Sequence, residues 1–155
     1  MILVHVPGYE RIDMSEATRF IGTMNYGYAG TRDLNEALVS RFAVIEMPII
    51  TEENLQKLIL FAHPDIKADI CNQLIALFYE LNRKAEHSDI SESAVDLRGI
   101  LDSIKLVKNG LTIGEALEMC IRNKCFDSYE RKLIDDVIRA RIPYELNKHH
   151  VFERN

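Results

Sequence analysis

Arg19-Phe-Ile-Gly-Thr-Met-Asn25, the loop Tyr26-Gly-Tyr-Ala-Gly-Thr31 and the segment Arg32-Asp-Leu-Asn-Glu-Ala-Leu-Val-Ser-Arg-Phe42 follow one another without a break and carry the pattern of strand, glycine loop and short helix. Phe20 to Met24 is a short apolar run without alternation, the pattern of a strand covered on both faces in a parallel sheet. Such a strand delivers the polar Asn25 at its C-terminal end, and open α/β sheets bind ligands beyond the carboxyl ends of their strands. Taken alone, the position of Asn25 favours a cap for the turn into Tyr26-Gly27. Asp33 and Glu36 stand at capping-box spacing and predict a short helix from Leu34. Arg41 falls at the end of that helix, where the helix dipole stabilises a cation. Ala43 to Met47 reads as a second buried strand that stops at Pro48.

Upstream, Ile2, Val4 and Val6 alternate with Leu3 and His5 before Pro7-Gly8, which predicts a β-hairpin. Downstream of residue 51 the character is helical. Thr51-Glu-Glu opens a helix carrying Leu55, Leu58, Ile59 and Ala62 on one face and ended by Pro64. A second runs from about Ile66 to Ala85 with Ile70, Leu74, Leu77, Phe78 and Leu81 at helical spacing. A third begins at Asp96, presents Leu97, Ile100, Leu101 and Ile104, and closes at Asn109-Gly110. Thr112 to Glu115 and Asp127 to Glu130 are capping-box spacings for two more helices. Lys148 to Asn155 has no periodicity and is expected to be a flexible tail. His63 and His87, near helix ends, read as surface residues.

The cluster Gly-Thr-Met-Asn, Ala-Gly-Thr-Arg and Ser-Arg-Phe within one short span resembles the second half of an AAA+ ATPase core, in particular the MoxR-like branch. The resemblance is strong from about Arg19 to Met47 and looser through the helices, where Gly-Leu-Thr-x-x-Glu-Ala-Leu also resembles the MoxR-like lid. It implies that Asn25 is the sensor 1 residue and Arg41 the arginine finger, with Arg32 a weaker candidate at the same interface. It implies further that Arg98, in the first turn of the third helix, is sensor 2, contacting nucleotide phosphates from the lid side. The family's Ser-x-Arg form is departed from, since four residues separate Ser93 from Arg98. Without that resemblance Arg98 is a solvated charge.

An ATPase of this kind needs a P-loop for the phosphates and a strand ending in acidic residues for Mg²⁺ and water. No Gly-Lys dipeptide occurs in this chain, and no apolar run ends in Asp-Glu. The expectation is therefore a mostly α (α+β) C-terminal portion of such an ATPase. Residues 1–50 would supply remnant strands of the α/β core, 51–147 a helical lid, and 148–155 the tail. ATP and Mg²⁺ would act in the longer parent, assembled as a homo-oligomeric ring that remodels a client protein. The piece itself would be inactive, would hold no tightly bound cofactor, and would self-associate through uncovered strands. The alternative is a non-enzymatic helical interaction module.

Composition agrees with a globular chain: 155 residues, 47% of them hydrophobic, are enough to bury a core. Cys71, Cys120 and Cys125 are odd in number and fall in helical contexts, which points to packing residues in a reducing, cytoplasmic compartment, with no metal site expected. The apolar runs are far short of the roughly 20 residues that span a bilayer. A net charge of −5 disfavours a general grip on nucleic acid.

Overall fold

The computed structural model describes Gly8, residues 15–23 and residues 35–153, and the chain divides into two compact units, Met1–Met47 and Pro48–Asn155. The described chain is mostly helical.

Among the described residues of the first unit the regular element is α1, Glu36–Val39, a single turn. It starts later than the spacing of Asp33 and Glu36 predicts. Its cap is Asn35, whose Oδ1 accepts the Ala37 N–H at 2.8 Å. The two expected strands do not form. Phe20 to Thr23 and Ala43 to Met47 adopt no strand, and Ile21 and Ile45 are 92% and 80% exposed. A parallel-sheet strand exists only while neighbours pair its N–H and C=O groups and cover its faces. Among the described residues no strand pairs with either segment. The predicted hairpin of residues 1–6 lies outside the described residues.

The second unit is built on α2 (Glu52–Ala62), α3 (Ala68–Glu86), α4 (Leu97–Lys108), α5 (Ile113–Cys120), α6 (Ser128–Arg141) and α7 (Lys148–Val151), with short 3₁₀ turns at Glu92–Ala94 and Arg122–Lys124. Helix α3 is its axis. Ile70, Cys71, Leu74, Ile75, Leu77, Phe78 and Leu81 are buried on it at the three- and four-residue spacing of one helical face. Each large aliphatic in that stripe contributes about 1.5–3 kcal/mol by leaving water. Helices α2 and α6 pack on α3, and α4 packs chiefly on α5.

Local chemistry sets the ends. Thr51 Oγ1 accepts the Asn54 N–H at 3.3 Å to start α2, and two glutamates occupy its electropositive first turn. Gly110 at φ +110 ends α4 in a left-handed conformation that a Cβ would oppose. The α5 box is complete, with the Glu115 carboxylate accepting the Thr112 N–H at 2.9 Å.

The C-terminal segment, expected to be a flexible tail over 148–155, is ordered and packed from Lys148 to Glu153, with Arg154 and Asn155 outside the described residues. Val151 and Phe152 are buried, and Asn147 caps α7 by accepting the His149 N–H at 3.0 Å. Phe152 forms an antiparallel bridge with Ile66. The Lys67 N–H donates to the Val151 carbonyl at 3.0 Å and the Glu153 N–H to the Asp65 carbonyl at 2.8 Å. Those bonds also explain why α3 begins at Ala68 and not at Ile66, whose backbone belongs to the bridge. Two apolar side chains finding one open edge of the core outweigh the disorder favoured by a short polar segment.

Candidate functional site

Arg98 is the second residue of α4 and is exposed. Its place is set by its neighbour. A Cβ on Gly99 would lie 2.6 Å from the Cys120 carbonyl oxygen and 3.1 Å from Ile121, so α4 meets the end of α5 at backbone distance. That contact fixes the first turn of α4, and Arg98 with it, against a rigid helix pair.

Asp96 precedes the turn and pairs with Lys124. Burial alone would raise its carboxyl. The Lys124 ammonium and the nearby Gly99 and Arg98 amides outweigh burial and hold it below its ordinary range, although neither amide closes a capping hydrogen bond. Lys124 thus neutralises Asp96, while Arg98 has no ion pair among the described residues. A cation in the first turn opposes the helix dipole. An unpaired guanidinium beside helix N–H groups is chemically suited to an oxyanion, phosphate included, through charge-assisted bonds.

Arg41 lies just past α1, exposed, with its guanidinium donating to the Ala37 carbonyl. It caps its own helix in this arrangement. Asn25 and Arg32 lie outside the described residues. Arg41 and Arg98 belong to different units.

Two features escape sequence reading. The first is His63, expected at the surface and instead 4% exposed, with neither ring nitrogen hydrogen-bonded. The signal was present: Leu55, Ile59 and His63 repeat every four residues, so the imidazole continues the buried face of α2. The second is an open groove of about 530 Å³ lined by Ile49, Ile50, Tyr79 and Arg83 among others. Tyr79 closes one side by donating its hydroxyl to the Ile50 carbonyl.

Cys71, Cys120 and Cys125 are buried in the core, and burial raises the thiols of Cys71 and Cys120. Among the described residues no three His, Cys, Asp or Glu side chains converge on a metal position. No helix among them is long and apolar enough to cross a membrane.

Comparison with known proteins finds relatives without an assigned role. The chain is 31% identical over 118 residues to the uncharacterized protein YojN of Bacillus subtilis, an alignment covering 76% of this chain and 38% of that protein. It is 29% identical over 130 residues to an uncharacterized protein of Staphylococcus haemolyticus, covering 83% of this chain and 49% of the relative. An uncharacterized protein of Staphylococcus saprophyticus is 31% identical over 126 residues, 81% of this chain and 47% of the relative. The chain therefore spans about half the length, or less, of the curated relatives it matches. No protein-family profile matches it. No solved structure matches it.

Proposed function

We propose that this chain is the C-terminal portion of a MoxR-like AAA+ ATPase whose ring couples ATP hydrolysis to the remodelling or maturation of a client protein. Asn25 is sensor 1, positioning the attacking water. Arg41 is the arginine finger, acting across a subunit boundary on nucleotide bound by a neighbour. Arg98 is sensor 2, meeting the phosphates from the helical lid. ATP and Mg²⁺ would be held by the P-loop and acidic strand of the longer protein, not by this piece. In a complete ring Arg41 would exchange its contact with the Ala37 carbonyl for a γ-phosphate, where a guanidinium finger changes turnover by about 10³-fold or more.

The observation that carries the reading is the occurrence in one sequence of the Asn25 to Phe42 motif cluster and, further along it, of Arg98, an exposed cation in the first turn of a helix and without an ion pair among the described residues.

The test uses the complete reading frame that contains this chain. Arg41→Ala and a P-loop Lys→Ala variant should each lose ATP hydrolysis, and mixing them should restore part of it, because each supplies what the other lacks at shared interfaces. Arg98→Ala should weaken nucleotide binding or turnover while leaving helix content unchanged. A reading frame without a P-loop, or one whose hydrolysis is indifferent to both arginines, would leave the non-enzymatic interaction module as the better account. The 155-residue chain alone should show no turnover.

A further inference from the structure

The turn between α2 and α3, the second half of α4 and the C-terminal segment meet at residues 65–67, directly after His63. Its carbonyl accepts the Ile66 N–H at 3.1 Å, and Ile66 in turn bridges Phe152. Asp65, two residues on, pairs with Lys108 of α4 at 2.7 Å, and the same ammonium lies 4.9 Å from the centre of the Phe152 ring. The Lys67 ammonium donates to the His149 and His150 carbonyls at 3.1 and 2.8 Å. One corner thus holds the chain terminus by two backbone bonds, two ammonium–carbonyl bonds, a cation over a ring and a buried phenylalanine.

We propose that His63 is a proton-operated latch: its neutral, buried imidazole lets Asp65 hold Lys108 and the C-terminal segment closed, and protonation frees that segment by competing for Asp65.

The imidazole is buried and has no hydrogen bond. Burial first, then the Lys108 charge, hold it below its ordinary range; the Leu101 carbonyl and Asp65 pull the other way, and Lys105 adds to the lowering. The charged groups that act on it are Lys105 and Lys108 from α4 and Asp65 from its own turn. On α7, Lys148, His149 and His150 are all exposed. A proton on His63 therefore creates a buried cation facing two ammonium groups, with the neutral Leu101 carbonyl and one carboxylate in range, and that carboxylate is already occupied by Lys108. Burying an unpaired cation is far costlier than re-pairing it. Asp65 stays ionised meanwhile, because its bond to Lys108 holds it below its usual range. When Asp65 turns to His63, Lys108 loses its anchor over Phe152, and the turn that carries the Asp65 carbonyl loosens its bond to Glu153.

The sign follows from linkage. A histidine depressed in the fold is protonated first in the open state, at its ordinary value of about 6.5, so closure is complete above that and is lost as pH falls below it. The experiment is amide exchange on this chain at pH 7.5 and pH 5, corrected for intrinsic rates. The Lys67 and Glu153 amides, which bond across the latch, should lose protection about tenfold or more. The α3 amides of Leu74 and Leu77 should keep theirs, separating local release from unfolding. His63→Gln and His63→Leu should each abolish the loss, and His149→Gln with His150→Gln should preserve it. No loss in the native chain, an equal loss in both His63 variants, or a parallel loss through α3 would each overturn the latch.

Discussion

The ring of Tyr144 lies against the backbone of Gly114 so closely that a Cβ there would fall 2.2 Å from the ring. The same pair is joined by the Gly114 N–H donating to the Tyr144 carbonyl at 3.0 Å, beside the Ile113 N–H on the Leu146 carbonyl at 2.8 Å. The first N–H groups of α5, which no helix can satisfy internally, are thus met by the chain beyond α6. Gly114→Ala forces the ring away and strains those bonds. It should lower the stability of the helical unit by about 2–3 kcal/mol, seen as a fall in Tm by circular dichroism. Gly22→Ala, whose Cβ would meet nothing within 4 Å, is the control and should melt like the native chain. Equal melting of the two variants would show that the ring has room to move.

Tyr144 also donates its hydroxyl to Glu118, and Arg139 lies over its ring at 4.4 Å. The bond to Glu118 first, then burial and the carboxylate charge, push the phenol up to about 12. A group raised in the fold contributes stability that is complete below its unfolded value of about 10 and is lost as pH rises through the folded one. Ultraviolet titration should therefore show one tyrosine ionising near pH 12, and Tyr144→Phe should delete that step. Deletion of a step near pH 10 instead would mean that the Glu118 bond does not form in solution.

Glu130 behaves differently from the Glu115 it imitates in sequence. Asp127 caps α6 by accepting the Tyr129 and Glu130 N–H groups, both at 2.9 Å. Glu130 does not return the bond; its carboxylate accepts the Ser91 N–H and hydroxyl, each at 3.0 Å. A cap residue has become a tie between α6 and the segment leading into α4. Asp127→Ala should cost about 1 kcal/mol. Glu130→Ala and Ser91→Ala should couple by about 0.5–1 kcal/mol in a double-mutant cycle on urea unfolding. Coupling indistinguishable from zero would show the tie to be energetically idle.

These elements mark where sequence reading succeeds and where it stops. The α3 stripe and the Thr112 box are legible because their determinants lie within a few residues of one another. Glu130 is not, since its spacing matches a local box and its partner lies 39 residues away. The expected strands fail for a related reason. Phe20 to Thr23 and Ala43 to Met47 have strand composition, but a strand is a property of a pair, and no pairing segment is found among the described residues. Of the candidate site, the first-turn position of Arg98 could be read from the α4 pattern. That it lacks a partner could not, because this depends on Lys124 taking Asp96. His63 stands near a helix end, which suggests the surface, but its spacing from Ile59 places it on the buried face.

Phe152 gives the strongest test of the C-terminal correction. Its side chain is buried, its backbone bridges Ile66, and Lys108 stands over its ring. Large core aromatics cost about 3–5 kcal/mol when cut to alanine, from lost transfer energy and the cavity left behind. The short α7 segment relaxes into part of that cavity, so Phe152→Ala should cost about 2–3 kcal/mol in urea unfolding. Limited proteolysis of the native chain at pH 7.5 should leave residues 148–153 uncut, while Phe152→Ala should be trimmed there first. A native chain that loses this segment as quickly as the variant would return it to the status of a loose tail, and α3 would then be expected to extend back toward Ile66.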